Sequence, residues 1–396
     1  MNDKPREVAL EGLSSEDLRK NGRLRVLFPS GAYVDLEIAG QLNEDLGMVP
    51  VVLSGAVTDR PNKIGPFFSG RNLLSMLRVP GIMIADPSLD LDNELNLGWY
   101  AGNSLQPHLA VQIADILTRI SDIYQLEFLI MGGSGGGFAS LVIGDLLGDR
   151  ASVFVWNPQT EILRYNANAI ERYFIAAFGE EGDLKEAEQR IRAEGTITSV
   201  LNHKMHARRI LYIQNVDDWH TQVHAMPFAQ ANNLRWMGRG RYTDGEQTEL
   251  WLAEWGEGHA APPVESIVKT IRQLLTPNVQ VSDAFLHGFW RFPFPRRDQF
   301  NDVASTESPL AGGVTVRVQP CEDEASEVSN QPLEDAGAMK VIDTKSLTVR
   351  HVGMLEGVHI PADQSNHIYL FLGFSFPDGT ELRKLLRGDQ LLHGGS

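Results

Sequence analysis

The sequence is poor in several features that mark particular classes of protein. It contains one cysteine in 396 residues, Cys321, so no internal disulfide can form, which fits a reducing compartment. The acidic residues 322–324 beside it disfavour a thiolate, so Cys321 is no candidate nucleophile. No run approaches the roughly 20 apolar residues of a membrane helix, and the start lacks the layout of a secretory signal. We therefore expect a cytoplasmic protein without membrane insertion.

Basic residues are also scarce. The chain has 35 lysines and arginines against 51 aspartates and glutamates, a formal net charge of -16. Nucleic acids and anionic membranes carry charge of the same sign, so neither is expected as a main partner. What the chain does have is an ordinary globular composition, 42% hydrophobic and 22% charged, over a length that accommodates a core domain and a second domain.

Short apolar runs alternate with longer amphipathic stretches over the first two thirds of the chain. This alternation predicts an α/β fold in which a mostly parallel eight-stranded sheet is flanked by helices. The first two strands lie close together and are expected to form an antiparallel hairpin at one edge. The predicted strands are residues 24–28, 33–38, 49–53, 82–85, 128–131, 153–156, 210–214 and 250–254. The predicted helices are residues 107–124, 137–147, 162–178, 184–193, 220–237 and 263–275.

The character of the sequence changes near residue 276. Helical periodicity gives way to β-rich runs at 314–318, 346–350 and 367–374, separated by turn-rich, acidic sequence. We therefore predict two domains, residues 1–276 and a smaller β-rich domain of residues 277–396. Residues 289–297 interleave aromatic side chains with arginines, which favours sugar stacking, partner binding or packing of the second domain. The second domain is thus a candidate for binding a glycan, a protein partner or a second copy of the chain.

The strongest functional motif lies between a predicted strand and a predicted helix. Residues 132–136 read Gly-Gly-Ser-Gly-Gly, which places Ser134 at the centre of a G-x-S-x-G pattern. A nucleophilic hydroxyl must project from a tight, strained turn, and glycines at 132 and 136 remove side chains that would block the turn and the substrate. The pattern predicts a nucleophile elbow with Ser134 as the nucleophile.

Three other interpretations of this glycine-rich segment are weaker. A flexible linker would be flanked by polar sequence, whereas both neighbours here are apolar. A dinucleotide-binding loop would need its last glycine where Phe138 or Ser140 stands. A P-loop would need a Gly-Lys-Ser/Thr that does not follow.

On this motif, roughly residues 20–276 resemble the α/β-hydrolase superfamily. The resemblance implies a catalytic serine, acid and histidine in that order along the chain. The acid is expected after the seventh predicted strand, where Asp217 and Asp218 stand; the alignment favours Asp218, with Asp217 as the alternative. His259, which follows the eighth predicted strand, is implied as the general base that takes the proton of Ser134.

The resemblance also implies an oxyanion hole with two donors. One is the backbone N–H of Gly135, directly after the nucleophile. The other is expected from the loop after the third predicted strand, where Gly55 or Ala56 supplies the backbone N–H. This loop differs from the His-Gly-Gly type of the lipase-like members.

A cluster of histidines raises the question of a metal. His220 and His224 lie one helical turn apart and could chelate an ion with Asp218, and His203 and His206 add to the local density. No further ligand of suitable spacing is evident, and a serine triad uses no metal. The sequence therefore predicts neither a metal nor another cofactor.

Three residues are candidates for contact with the substrate. His220 stands two positions from the acid and is expected at the rim of the site. Trp99 and Tyr100 follow the fourth predicted strand, where substrate-facing loops occur in this fold, although aromatic residues there can simply pack.

A second, fainter resemblance concerns the hydrolase-like component of bacterial accessory secretion systems. It is carried by the Gly-Gly-Ser-Gly-Gly elbow, by the Gln214-Asn215…Asp218-x-His220 string and by the two-part layout. That component couples such a domain to a β-rich one and is associated with O-acetylation of a secreted glycoprotein's sugars. The resemblance favours a serine esterase acting on an acyl ester of a carbohydrate or other small polar substrate. An O-acyltransferase with the same triad, and a non-catalytic scaffold binding a glycan or protein, are the alternatives.

Overall fold

A mixed β-sheet of eleven strands forms the framework of the described chain. The computed structural model describes residues 4–237, 240–276, 279, 281 and 285, and beyond them the backbone of six further strands. The sheet strands are β1 Arg6–Ala9, β2 Gly22–Leu27, β3 Tyr33–Ala39, β4 Met48–Leu53, β5 Gly81–Ile84, β6 Glu127–Gly133, β7 Ala151–Trp156, β8 Arg209–Asn215, β9 Arg235–Trp236, β10 Arg241–Thr243 and β11 Thr248–Ala253.

The strand order places the carboxyl ends of β4, β6, β7 and β8 side by side. The order is β1-β2-β3-β5-β4-β6-β7-β8-β11-β10-β9, and the pairs from β5 through β4, β6 and β7 to β8 are parallel. Nearly every residue of these strands is buried, as in parallel strands covered on both faces. The α/β architecture with a mostly parallel sheet is confirmed.

Helices connect the parallel strands. They are α1 Ser15–Leu18, α2 Arg71–Leu77, α3 Leu109–Tyr124, α4 Ser134–Leu147, α5 Ala167–Phe178, α6 Leu184–Ala193, α7 Met226–Ala231 and α8 Val264–Leu274. A π-helical turn, Thr221–Ala225, precedes α7. Short 3₁₀ turns occur at Leu10–Gly12, Glu44–Leu46, Arg60–Asn62, Pro87–Asp90, Gly148–Arg150 and Ile162–Arg164. No described helix is both long enough and apolar enough to cross a membrane.

Three sequence predictions about the fold needed correction. The sheet has eleven strands and not eight, because the short strands β1, β9 and β10 show no readable pattern in the sequence. The β2–β3 hairpin is antiparallel as expected, but it is not at the edge, because β1 pairs in parallel with β2. With only four residues and half-buried alternate positions, β1 gives little apolar signal. The helix predicted over 220–237 ends at Ala231, since Asn233 adopts a left-handed backbone and the chain continues into β9.

The chain divides into two compact units. One comprises Met1–Arg235, Thr243–Trp251 and Trp255–Trp290, and the other Trp236–Tyr242, Leu252–Glu254 and Arg291–Ser396. In the second, antiparallel strands β12 Thr306–Leu310, β13 Val314–Pro320, β16 Tyr369–Ser375 and β17 Glu381–Arg387 form one sheet, and β14 Lys340–Asp343 pairs with β15 Thr348–His351. The predicted domain boundary at 276 stays a prediction. Residues 289–297 and Cys321 lie outside the described residues.

Candidate active site

Ser134 occupies a strained turn where β6 passes into α4. Its backbone φ is 53°, in the left-handed region that residues with a side chain rarely adopt. Such a conformation costs on the order of 1–3 kcal/mol and persists only where the surrounding structure enforces it. The residue is half-buried at the first position of α4. The turn therefore presents the hydroxyl at the carboxyl end of a buried strand.

Two glycines let the backbone close around this turn. A β-carbon at Gly132 would lie 2.6 Å from the backbone of Gly136. A β-carbon at Gly136 would collide with the carbonyl oxygen of Leu53, at the end of β4. No side chain fits at either position. Helix α4 begins at Ser134 and not at residue 137 as predicted. The packing thus shows why the motif has glycine at these two positions: a side chain there would block the turn.

The loop after β4 presents free backbone donors beside Ser134. The β-carbon position of Gly55 lies 3.8 Å from Cβ of Ser134. In this loop the N–H of Ser54 donates to the hydroxyl of Tyr100 and that of Val57 to the carbonyl of Asn96, both at 2.8 Å. Among the described residues, the N–H groups of the intervening Gly55 and Ala56 have no acceptor.

The N-terminus of α4 supplies a further free donor. Gly135 is the second residue of this helix, and the first N–H groups of any helix lack intrahelical partners. Its N–H has no acceptor among the described residues. Together with Gly55, it gives the site two unpaired N–H groups on residues next to Ser134, and Ala56 follows Gly55 with a third. The positive end of the helix dipole adds to their attraction for negative charge.

Asp218 and His259 form a hydrogen-bonded pair. Nδ1 of His259 lies 2.6 Å from Oδ2 of Asp218, so Nδ1 carries the hydrogen and Nε2 keeps its lone pair. Asp218 is 2% exposed. Burial alone raises the pKa of this carboxyl, but the hydrogen bond from His259 and the nearby His220 outweigh it and hold the pKa below its ordinary value. The carboxylate is therefore charged near neutral pH and fixes the imidazole tautomer.

The neighbouring acid has a different partner. Oδ2 of Asp217 accepts a hydrogen bond from the N–H of Gly258 at 2.9 Å. Asp217 thus holds the loop that carries His259, whereas Asp218 contacts its imidazole. Of the two acids that the sequence left open, the geometry favours Asp218 as the partner of the histidine.

Two asparagines fasten the loops around this pair. Nδ2 of Asn215 donates to the carbonyl oxygens of Gly256 at 2.7 Å and Gly258 at 2.6 Å. Its own N–H donates to Oδ1 of Asn157 at 2.8 Å, and Nδ2 of Asn157 donates to the carbonyl of Ala260 at 3.0 Å. The amide of Asn215 thus holds the loop that carries His259.

His220 and His224 are buried behind the pair. Both side chains are fully buried, and the rings of His220 and His259 are 4.4 Å apart. Nδ1 of His220 donates to the carbonyl of Asn157 at 3.1 Å, while Nδ1 of His224 accepts from the N–H of Thr160 at 3.2 Å. Burial lowers the pKa of His220 to about 4 and that of His224 further, so both are neutral at pH 7. His220 therefore lies beneath the site and not at its rim, and its contact with substrate stays a prediction.

Gln159 contacts the hydroxyl of Ser134 directly. Its Nε2 donates to Oγ of Ser134 at 2.9 Å, and its Oε1 accepts from the indole N–H of Trp99 at 3.3 Å. Among the described residues, Ser134 has no hydrogen bond to His259 in this structure. Because the amide of Gln159 occupies a lone pair of Oγ, the Ser134 proton stays available to a base. Sequence reasoning missed Gln159, whose only signal is its place three residues after the end of β7.

Trp99 and Tyr100 are buried, and their hydrogen bonds position other residues of the site. They are 1% and 2% exposed, and both have left-handed backbones. The hydroxyl of Tyr100 accepts from Ser54 and donates to the carbonyl of Ile84, each at 2.8 Å. Tyr100 thus positions the loop that carries Gly55, and Trp99 orients Gln159. Direct contact of either residue with substrate stays a prediction.

An exposed tryptophan, stacked on a half-buried tyrosine, lies next to the histidines. Trp219 is 47% exposed, stacks on Tyr165 with ring centroids 5.8 Å apart, and lies 4.4 Å from the ring of His220. The sequence analysis did not single out Trp219, although it directly follows Asp218. Its open face is available to a bound molecule near His259.

No protein-family model matches the chain, and no curated protein matches it. Solved structures that resemble it include the capsule O-acetyltransferase of Neisseria meningitidis serogroup A, with 12% identity and a TM-score of 0.42 over 61% of this chain and 91% of that chain. Acetyl xylan esterase 1 from Thermoanaerobacterium sp. JW/SL YS485 is 15% identical, with a TM-score of 0.41 over 64% and 81%. The Gap123 glycosylation-associated complex from Streptococcus agalactiae is 13% identical, with a TM-score of 0.41 over 65% and 47%.

The solved structures that match thus include an O-acetyltransferase, an esterase and peptidases. Identities of 11–15% and TM-scores of 0.40–0.43 carry no argument about the activity of this chain. The function is therefore argued from the site alone.

Proposed function

We propose that this protein is a serine hydrolase that cleaves a carboxylic ester through an acyl-enzyme on Ser134. His259 is the general base, Asp218 is the acid that orients it, and the N–H groups of Gly135 and of Gly55 or Ala56 form the oxyanion hole. No metal or cofactor takes part in this chemistry.

The observation that carries the proposal is the set of groups that lie at the carboxyl ends of the central strands. A serine in a left-handed turn lies beside the free N–H of Gly135 and the loop of Gly55, and an aspartate–histidine pair with a 2.6 Å hydrogen bond follows β8 and β11. A purely structural role needs neither the strained serine nor the buried carboxylate beneath a half-exposed imidazole.

The proposed reaction has two steps. Oγ of Ser134 attacks the ester carbonyl carbon while Nε2 of His259 takes its proton, and the free N–H groups stabilise the negative oxygen. Collapse of the tetrahedral intermediate breaks the bond to the leaving alcohol, which receives the proton from His259. Water then attacks the acyl-enzyme with His259 again as base, releasing the acid and regenerating Ser134. The hydrogen bond from Gln159 orients Oγ without consuming its proton.

The site supports a small polar substrate, and we propose an acyl ester of a carbohydrate. The exposed part of Trp219, which stacks on Tyr165, offers a flat apolar surface beside His220. Aromatic faces of this kind pack on the rings of bound molecules. The same acyl-enzyme serves an O-acyltransferase when a sugar hydroxyl replaces water as acceptor, so hydrolysis and transfer differ only in the second step.

The proposal is tested by hydrolysis of short-chain aryl esters with wild type, Ser134→Ala and a matched control, Ser75→Ala, whose serine is exposed on α2. We expect the wild type and Ser75→Ala to hydrolyse the ester and Ser134→Ala to be inactive while folded. Adding an alcohol acceptor distinguishes hydrolysis from transfer by the products. A folded wild type that performs neither reaction would instead support a non-catalytic scaffold.

A further inference from the structure

A second cluster of ligating side chains lies apart from the catalytic residues. Asp145 stands near the end of α4, and His203 and His206 stand in the loop that precedes β8. Their potential ligand atoms all lie within 4.8 Å of one another. The proposed reaction uses none of the three.

The carboxylate of Asp145 faces both imidazoles. Its Oδ2 lies 2.6 Å from Nε2 of His203, and its Oδ1 lies 3.3 Å from Nδ1 of His206 and 2.6 Å from the N–H of that residue. The two imidazole rings lie nearly parallel, with centroids 5.4 Å apart. One nitrogen of each ring is thus aimed at the same carboxylate from the same loop.

We propose that Asp145, His203 and His206 bind a divalent transition-metal ion such as Zn²⁺. Two imidazoles and one carboxylate are ligands that Zn²⁺ accepts in tetrahedral sites, at about 2.0–2.2 Å. Imidazole nitrogen favours zinc, copper or nickel, whereas Mg²⁺ and Ca²⁺ prefer all-oxygen sets. Small side-chain rotations would bring the three ligand atoms around one ion.

The exposure of the ligands fits an ion that enters from solvent. The side chain of Asp145 is 16% exposed, while those of His203 and His206 are 49% and 72% exposed. Asp145 and His203 also border a cleft of about 360 Å³. The open side leaves the fourth coordination position to water or to a small ligand from the cleft.

Metal binding would connect two parts of the catalytic unit. Helix α4 carries Ser134 at its first residue and Asp145 in its last turn. The loop that carries His203 and His206 leads into β8, which ends just before Asp217 and Asp218. An ion bound by the folded site and not by the unfolded chain stabilises the fold by mass action. We therefore assign this ion a structural role.

The test is calorimetric titration of the full chain, freed of metal by a chelator, with Zn²⁺. We expect one ion to bind with an accompanying rise in melting temperature. His203→Ala and Asp145→Asn should weaken binding by more than the 10–100-fold that loss of an outer partner costs. Exposed His108, outside the cluster, provides the matched control His108→Ala, which should bind as the wild type does.

The catalytic residues form a competing cluster, because Asp218, His220 and His259 also place ligand atoms within 4.8 Å of one another. His259→Ala separates the two, since our proposal requires it to retain the calorimetric site. Co²⁺ added to the wild type should give the visible absorption of an imidazole-ligated ion, and His203→Ala should lose it. Absence of Zn²⁺ binding to the wild type, or binding lost in His259→Ala but kept in His203→Ala, would overturn the proposal.

Discussion

The two halves of the candidate site are built in different ways. On the nucleophile side, Ser134, its strained backbone and the glycines that permit it lie within one continuous strand–turn–helix segment, β6 and α4. On the acid–histidine side, Asp218 and His259 come from two loops some forty residues apart in the chain, joined by the side-chain amides of Asn157 and Asn215.

This difference determines how substitutions affect each half of the site. Local backbone geometry fixes the serine, so few distant substitutions should move it. A network of buried hydrogen bonds fixes the imidazole, so a single amide can displace it. We therefore expect variants on the acid–histidine side to lose activity while Ser134 stays in its turn.

The largest expected effect concerns the choice of acid. Asp218→Asn removes the charge that fixes the tautomer of His259 and should lower kcat by about 10⁴-fold. Asp217→Asn is the matched control; it keeps the shape of a side chain that accepts a hydrogen bond from the N–H of Gly258, and it should lower kcat by less than about tenfold. Ester hydrolysis by both variants measures the difference, and equal losses would invalidate the assignment of Asp218.

The acid–histidine side should also make the fold sensitive to acid. Burial lowers the pKa of His220 to about 4 and that of His224 further, whereas unfolded histidine titrates near 6.5. The unfolded chain therefore binds more protons as the pH falls below 6.5, and stability falls with it. Urea unfolding should show a loss on the order of 3 kcal/mol from pH 7 to pH 5.

The double variant His220→Gln/His224→Gln separates this contribution from that of the other histidines. Its unfolding free energy should change less between pH 7 and pH 5 than that of the wild type. If the unfolding free energy of the double variant depends on pH as strongly as that of the wild type, these two imidazoles are not neutral in the folded protein.

Asn215 tests the network itself. Asn215→Ala leaves the carbonyls of Gly256 and Gly258 without their donor, which should destabilise the fold by about 1–3 kcal/mol. Without these hydrogen bonds the loop that carries His259 should shift, and the shift should lower kcat by roughly 10–100-fold, within the range for a misplaced catalytic group. The control Asn93→Ala alters an exposed loop asparagine and should match the wild type. Full activity of Asn215→Ala would show that the network does not position His259.

The smallest expected effect lies on the nucleophile side. Gln159→Ala removes the hydrogen bond to Oγ of Ser134 but leaves the left-handed turn unchanged, so kcat should fall by about tenfold or less, near the value of one hydrogen bond. Gln159→Glu replaces the donor Nε2 with an acceptor and should be less active than Gln159→Ala. The order of the two kcat values is the measurement, and the reverse order would contradict donation to Oγ.

The contrast between the halves also explains what the sequence could predict. The strand, turn and helix around Ser134 are consecutive, so a glycine pattern and apolar periodicity revealed them together. The spacing along the chain favoured Asp218 but left Asp217 open, because the two acids are told apart by their partners. That distinction depends on contacts with residue 258 and residue 259, which spacing does not encode.

Other parts of the structure gave no readable pattern for the same reason. Asn157 and Gln159 follow β7 and Asn215 ends β8. Only the tertiary structure shows which of these amides bonds to which loop. Strand β1 is too short to show alternation, and β9 has two residues. Trp99 and Tyr100 were placed in the right loop, but their burial depends on packing against Tyr173, Gln159 and Ser54.

The central claim is that Ser134 is an activated nucleophile, and a fluorophosphonate probe tests it most directly. The folded wild type and Ser134→Ala would be treated with the probe, and the modified residue mapped by mass spectrometry. The account predicts a single adduct on Ser134 in the wild type and none in Ser134→Ala. An unlabelled wild type, or an adduct on another residue that persists in Ser134→Ala, would contradict it.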